Sequence, residues 1–153
     1  MNPADAAPQE AVGRWFVGFL GHEDQFLIDR ISPRGFRHCL CFGYHAASER
    51  WLVYNVRERR TDVFAATPEQ FILWLAGHKE QGMRVLSVDM PEHDDTPNLW
   101  ARFGLYCVSA TKHLLGSRSR ALRPIALWRD LLAAGAVEAF TGNDDGARSE
   151  EEA

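Results

Sequence analysis

The chain has 153 residues, 46% of them hydrophobic and 25% charged, with nine Phe, five Trp and three Tyr, which excludes a disordered protein and suits one globular domain. A formal net charge of −4 supplies no basic field for nucleic acid. No apolar run approaches the ~18 to 20 residues that cross a bilayer, and Met1 to Glu10 holds no Lys or Arg, so neither a membrane span nor a secretory signal is expected and a cytoplasmic protein is the default.

In chain order, residues 1–11 are small and proline-punctuated and read as a flexible tail. The domain is expected over 12–140. Trp15 to Leu20, short, aromatic and flanked by Gly13 and Gly21, predicts a strand. Phe36 to His45 and Trp51 to Arg57 predict two more, joined as a hairpin by Ala46 to Arg50. Thr67-Pro-Glu-Gln70 opens a helix with Thr67 as N-cap, Pro68 at the first position and Gln70 completing a capping box; Phe71, Trp74, Leu75 and His78 follow at helical spacing and Gly82 ends it. Met83 to Val88 predicts a strand and Pro91 to Pro97 an acidic loop. Cys107 to Leu115 reads as a helix stopped by Gly116, and Pro124 to Ala134 as another, with Ile125, Leu127, Trp128, Leu131 and Leu132 inward. Residues 141–153 carry no large apolar side chain and read as a disordered acidic tail. Strands in the middle and helices toward the end make an α+β domain.

Three cysteines are an odd number, so no disulfide framework is expected. Strand alternation sends His38, Leu40, Phe42 and Tyr44 to one face and Cys39, Cys41, Gly43 and His45 to the other. Cys39, Cys41 and His45 are ligand types that zinc prefers. However, side chains two apart on a strand lie about 7 Å from each other, and no CxxC knuckle is present, so small core residues are the favoured reading and no metal is expected. A hairpin centred between Ala47 and Ser48 pairs Tyr44 with Trp51, Phe42 with Val53 and Leu40 with Asn55, which brings His38 diagonally across from Asn55. Asn is disfavoured inside strands. Either Asn55 accepts a proton from an imidazole and fixes its ring, or it ends the strand before Arg57-Glu-Arg-Arg60.

Cys107 sits in the first turn of its helix, where unpaired N–H groups and the helix dipole favour a thiolate. A Cys at a helix start, a His on a strand and an Asn on the next strand are the parts of a thiolate–imidazolium pair with an orienting amide. The alternative is a third small buried residue. Trp15, Trp51 and Trp100 are read as core before groove lining.

Phe36-Arg-His-Cys39, Trp51-Leu-Val-Tyr-Asn55 and Tyr106-Cys-Val-Ser-Ala-Thr-Lys-His-Leu-Leu-Gly116 together resemble the permuted branch of the NlpC-type, papain-like cysteine peptidases, in which the catalytic His precedes the Cys; Pro124 to Leu132 resembles the helix that commonly follows the Cys helix. The resemblance spans roughly Trp15 to Val137. It implies an antiparallel sheet packed against a helix that carries the Cys. Cys107 is then the nucleophile, His38 the base, Asn55 the residue orienting the imidazole, and the backbone N–H of Cys107 an oxyanion donor. The implied chemistry is hydrolysis or acyl transfer at an amide or ester of a small peptide or acyl substrate, of the cell-wall peptide or lipid type, with no cofactor. The rival reading is a binding or structural protein that keeps the peptidase-like fold.

Overall fold

The computed structural model describes residues 12–21, 35–57, 59–89, 102–104 and 106–140. Among the described residues the strands and α-helices are, in order, β1 (Arg14–Leu20), β2 (His38–His45), β3 (Arg50–Val56), β4 (Thr61–Ala66), α1 (Pro68–Glu80), β5 (Arg84–Asp89), α2 (Tyr106–Leu114), α3 (Pro124–Ala133) and β6 (Val137–Phe140). Among the described residues the strands form one six-stranded antiparallel sheet in the order β4-β3-β2-β1-β5-β6, and with three helices the domain is α+β.

Alternation along β1 divides the core in two. Trp15, Val17 and Phe19 join Cys39, Cys41 and Leu86 beneath α2 and α3, whose Val108, Leu115, Leu127, Trp128 and Leu131 complete one cluster. Leu20, with Phe16 packed alongside, joins Leu40, Phe42, Val53, Met83 and Val85 beneath α1, which contributes Phe71. The sheet is therefore covered on both faces. Central strand β2 is buried from His38 to Gly43, which explains why it reads as an almost continuous apolar run. Phe19 has an edge-to-face contact with Trp128 at 5.0 Å and meets Phe36 at 5.3 Å.

The capping box at Thr67 is formed in full, with Gln70 N donating to Thr67 Oγ1 and Thr67 N to Gln70 Oε1. The hairpin turns through a short 3-10 segment at 46–48, closed by Glu49 in the left-handed region and by a hydrogen bond from Ser48 N to His45 Nδ1. Tyr44 faces Trp51 and Phe42 faces Val53, as the sequence register requires. Trp15 is core and Trp51 packs against the α1 cluster, its ring stacked on Phe71 at 4.1 Å.

Some expectations are corrected. Leu132 is 40% exposed instead of inward, because the buried stripe of α3 runs through Leu127, Trp128 and Leu131. His78, at the helical spacing expected, is half-buried and its Nδ1 donates to the Trp74 carbonyl at 2.9 Å. Strands β4 and β6, both sheet edges, have no counterpart in the sequence reading. The bidentate pair of Arg84 with Glu138, at 2.7 and 2.8 Å, ties β6 to β5. The expected tails at 1–11 and 141–153, the loop Pro91 to Pro97, and His22, His93 and Trp100 lie outside the described residues. Among the described residues no helix is long and apolar enough to cross a membrane.

Candidate active site

The two central strands part where the sequence grouped its polar residues. β2 stays paired with β1 to its first residue, Leu20 facing His38, but its ladder with β3 stops at Cys41 opposite Tyr54. β3 continues with β4, pairing Asn55 with Asp62 and Val56 with Thr61. The expected pair of Leu40 with Asn55 is thus absent from the ladder. His38 Nε2 donates to Asn55 Oδ1 at 2.7 Å, with both residues buried. A buried amide and imidazole satisfy one another in this way, which removes the cost of an unpaired polar group.

Cys107 is the second residue of α2, the helix that packs on β2 and β3. Alternation assigns His38 and Cys39 to opposite faces of β2, yet Cys107 interacts with both. His38 is the first residue of β2, and a group beside a strand end can reach residues of both parities. The thiol of Cys39 hydrogen-bonds Cys107 and does most to lower its pKa; burial opposes this, and a hydrogen bond from His38, the imidazolium charge and the Cys39 backbone N–H reinforce it, bringing Cys107 down to about 5. The first turn of a helix favours the thiolate further.

Cys39 and Cys41 have the opposite character. Burial, the Cys107 hydrogen bond and the Cys107 charge push Cys39 up. Burial raises Cys41 to about 12. Both turn to Thr111, one helical turn beyond Cys107: Cys41 Sγ donates to Thr111 Oγ1 at 3.4 Å, and Cys39 Sγ lies 3.5 Å from the same oxygen. His45 instead hydrogen-bonds Ser48 at the far end of the hairpin. Among the described residues no three His, Cys, Asp or Glu side chains are grouped as metal ligands.

Sequence reasoning missed Cys39 and Thr111 as neighbours of Cys107. A signal was present for Thr111, since residues four apart share a helix face. The resemblance brings Cys107 to His38 but does not say which further side chains of that strand α2 meets.

Lys112, also unforeseen, is fully buried; its Nζ donates to the carbonyls of Ala121 (2.9 Å) and Phe103. It clamps the turn entering α2 to the segment leading into α3. Gly104 in that turn has φ +133, where its missing Cβ would meet Val108 Cγ1 at 3.2 Å. Lys112→Met is expected to cost about 1–3 kcal/mol, chiefly by orphaning the buried Ala121 carbonyl, read as a lower urea midpoint at unchanged slope.

Cys107 is itself only 6% exposed, while Tyr106 beside it is 66% exposed. Compared with protein-family models, curated proteins and solved structures, the chain matches none.

Proposed function

We propose that the protein is a thiol-dependent hydrolase or acyltransferase of papain-like, NlpC-type architecture, acting on an amide or ester. The observation that carries this reading is the run Cys107, His38, Asn55, in which a lowered thiol contacts an imidazole that is held by a buried amide. With Nε2 donating to Asn55, Nδ1 is the ring nitrogen that takes the Cys107 proton. The thiolate attacks the carbonyl carbon, and N–H groups of the first α2 turn, including that of Cys107, face the developing oxyanion. The imidazolium protonates the leaving amine or alcohol, and water or a second acceptor resolves the thioester. Asn55 holds the ring in register without touching the substrate.

A p-nitrophenyl ester of a short fatty acid tests this directly. The expected result is a burst of p-nitrophenolate with Cys107 acylated by mass, lost in Cys107→Ala. Asn55→Ala is expected to slow the burst about fivefold, for a hydrogen bond worth about 1 kcal/mol. The 6% exposure of Cys107 favours the second reading, a binding or structural protein with the same fold. Absence of acyl-Cys107 at any pH where the protein is folded would decide for it.

A further inference from the structure

We propose that Cys39 and Cys107 form a reversible disulfide when hydrogen peroxide reaches the site, with Cys107 as the oxidised thiol and Cys39 as the one that resolves it. The placement comes from how α2 crosses β2. Thr111 touches Cys39 and Cys41 at 3.5 and 3.4 Å, and Cys107 lies one turn before Thr111 on the same helix face. Cys39 is thus flanked by two groups of α2, Thr111 and Cys107, and its thiol hydrogen-bonds the latter. Cys41 has Thr111 as its hydrogen-bond partner and lies one strand pleat away. Of the three free cysteines, Cys39 and Cys107 are therefore the pair positioned to join.

The two thiols also differ in the way such a pair requires. Cys107 is held as a thiolate by His38 and Cys39, so it is the sulfur that attacks peroxide. A Cys107 S–O bond forms as the O–O bond breaks; sulfur is oxidised by two electrons, and the departing hydroxide takes the imidazolium proton to become water. The resulting sulfenic acid is neutral. Its formation removes the Cys107 charge that had helped to keep Cys39 protonated. The Cys39 sulfur then displaces hydroxide: an S–S bond forms, the S–O bond breaks, and the Cys39 proton leaves as the second water. Overall, two thiols and one peroxide give one disulfide and two waters. Bond formation brings the two sulfurs to about 2 Å. The consequence is a site switched off by oxidant, with its nucleophile protected from the irreversible sulfinic and sulfonic acids.

This inference rests on the Cys107 thiolate of the proposed function but not on acyl transfer, so the two fail separately. The full-length protein is titrated with hydrogen peroxide, blocked with iodoacetamide and mapped by mass spectrometry without reduction, while an untreated portion is assayed with the p-nitrophenyl ester. The expected result is a Cys39–Cys107 cross-linked peptide pair, Cys41 still alkylated, and loss of the ester burst that dithiothreitol restores. In Cys39→Ser, chosen for its small change in volume, the same peroxide is expected to carry Cys107 to sulfinic acid, with a loss that dithiothreitol does not reverse. Over-oxidation of Cys107 in the wild-type protein without a cross-link, or a cross-link made through Cys41, overturns the proposal; a burst that persists in the untreated portion leaves the acyl-transfer reading standing.

Discussion

Iodoacetamide should label Cys107 selectively at pH 6, with a rate that rises through a midpoint near 5, while Cys39 and Cys41 stay unlabelled in the folded protein. The sign follows from which form reacts. Only the thiolate is nucleophilic, and the ordinary thiol is mostly protonated below pH ~8.5. Lowering the pKa to about 5 leaves Cys107 ionised across the neutral range. His38→Ala removes both a hydrogen bond and a positive charge from the thiolate, so the midpoint should move up toward the ordinary value. Cys39→Ser tests the other partner: a hydroxyl can still donate, so a smaller upward shift is expected. The same depression has a stability consequence. Because the folded-state value lies below the unfolded one, Cys107 contributes stability present above the ordinary thiol value, and that contribution falls away as pH drops toward 5. Equal, slow labelling of all three cysteines only in alkali would remove the thiolate and the proposed chemistry with it.

The largest effect on stability is expected at Phe19. Its side chain is fully buried, packed edge-to-face on Trp128 and tilted against Phe36, so it joins β1 to α3 and to the segment entering β2. Phe19→Ala removes the ring and leaves a cavity that two flanking aromatics cannot fill without moving, a cost of about 3–5 kcal/mol. Domains of this size are stable by about 5–15 kcal/mol, so the variant should unfold at a much lower urea concentration. Leu132→Ala, on the exposed side of α3, is the control and should change the midpoint little. A Phe19 variant as stable as the wild type would mean that α3 is not seated on the sheet as described.

Much of the candidate site was readable because its determinants are local. The passage from loop to helical periodicity around Tyr106 predicts Cys107 in the first turn of a helix, and it is the second residue of α2. The hairpin register follows from a turn centred between Ala47 and Ser48, which pairs Phe42 with Val53 and Tyr44 with Trp51 as observed. From that register His38 and Asn55 became diagonal neighbours, and they are hydrogen-bonded. The pairing of Leu40 with Asn55 failed for a reason that no local rule contains. At this end β3 keeps β4 as its partner while the β2–β3 ladder stops, and nothing in the sequence pattern predicts β4. Thr61-Asp-Val-Phe-Ala-Ala66 follows a charged run and is mostly exposed, so it lacks the alternation that marks a half-buried strand. β6 has four residues and likewise depends on its neighbour, β5.

By itself the sequence determined the helix caps, the strand faces and the hairpin register, because these depend on residues a few positions apart and on one side chain's preference for apolar surroundings. Only the tertiary structure decided that α2 crosses β2 with Cys107 against Cys39 and Thr111 against both strand thiols, that Lys112 is buried on two carbonyls, and that β2 and β3 separate just where His38 meets Asn55. Those contacts join segments as many as 72 positions apart in the chain. They are set by how two covered faces of one sheet are packed together, a balance of buried area and satisfied polar groups that no stretch of the chain encodes alone.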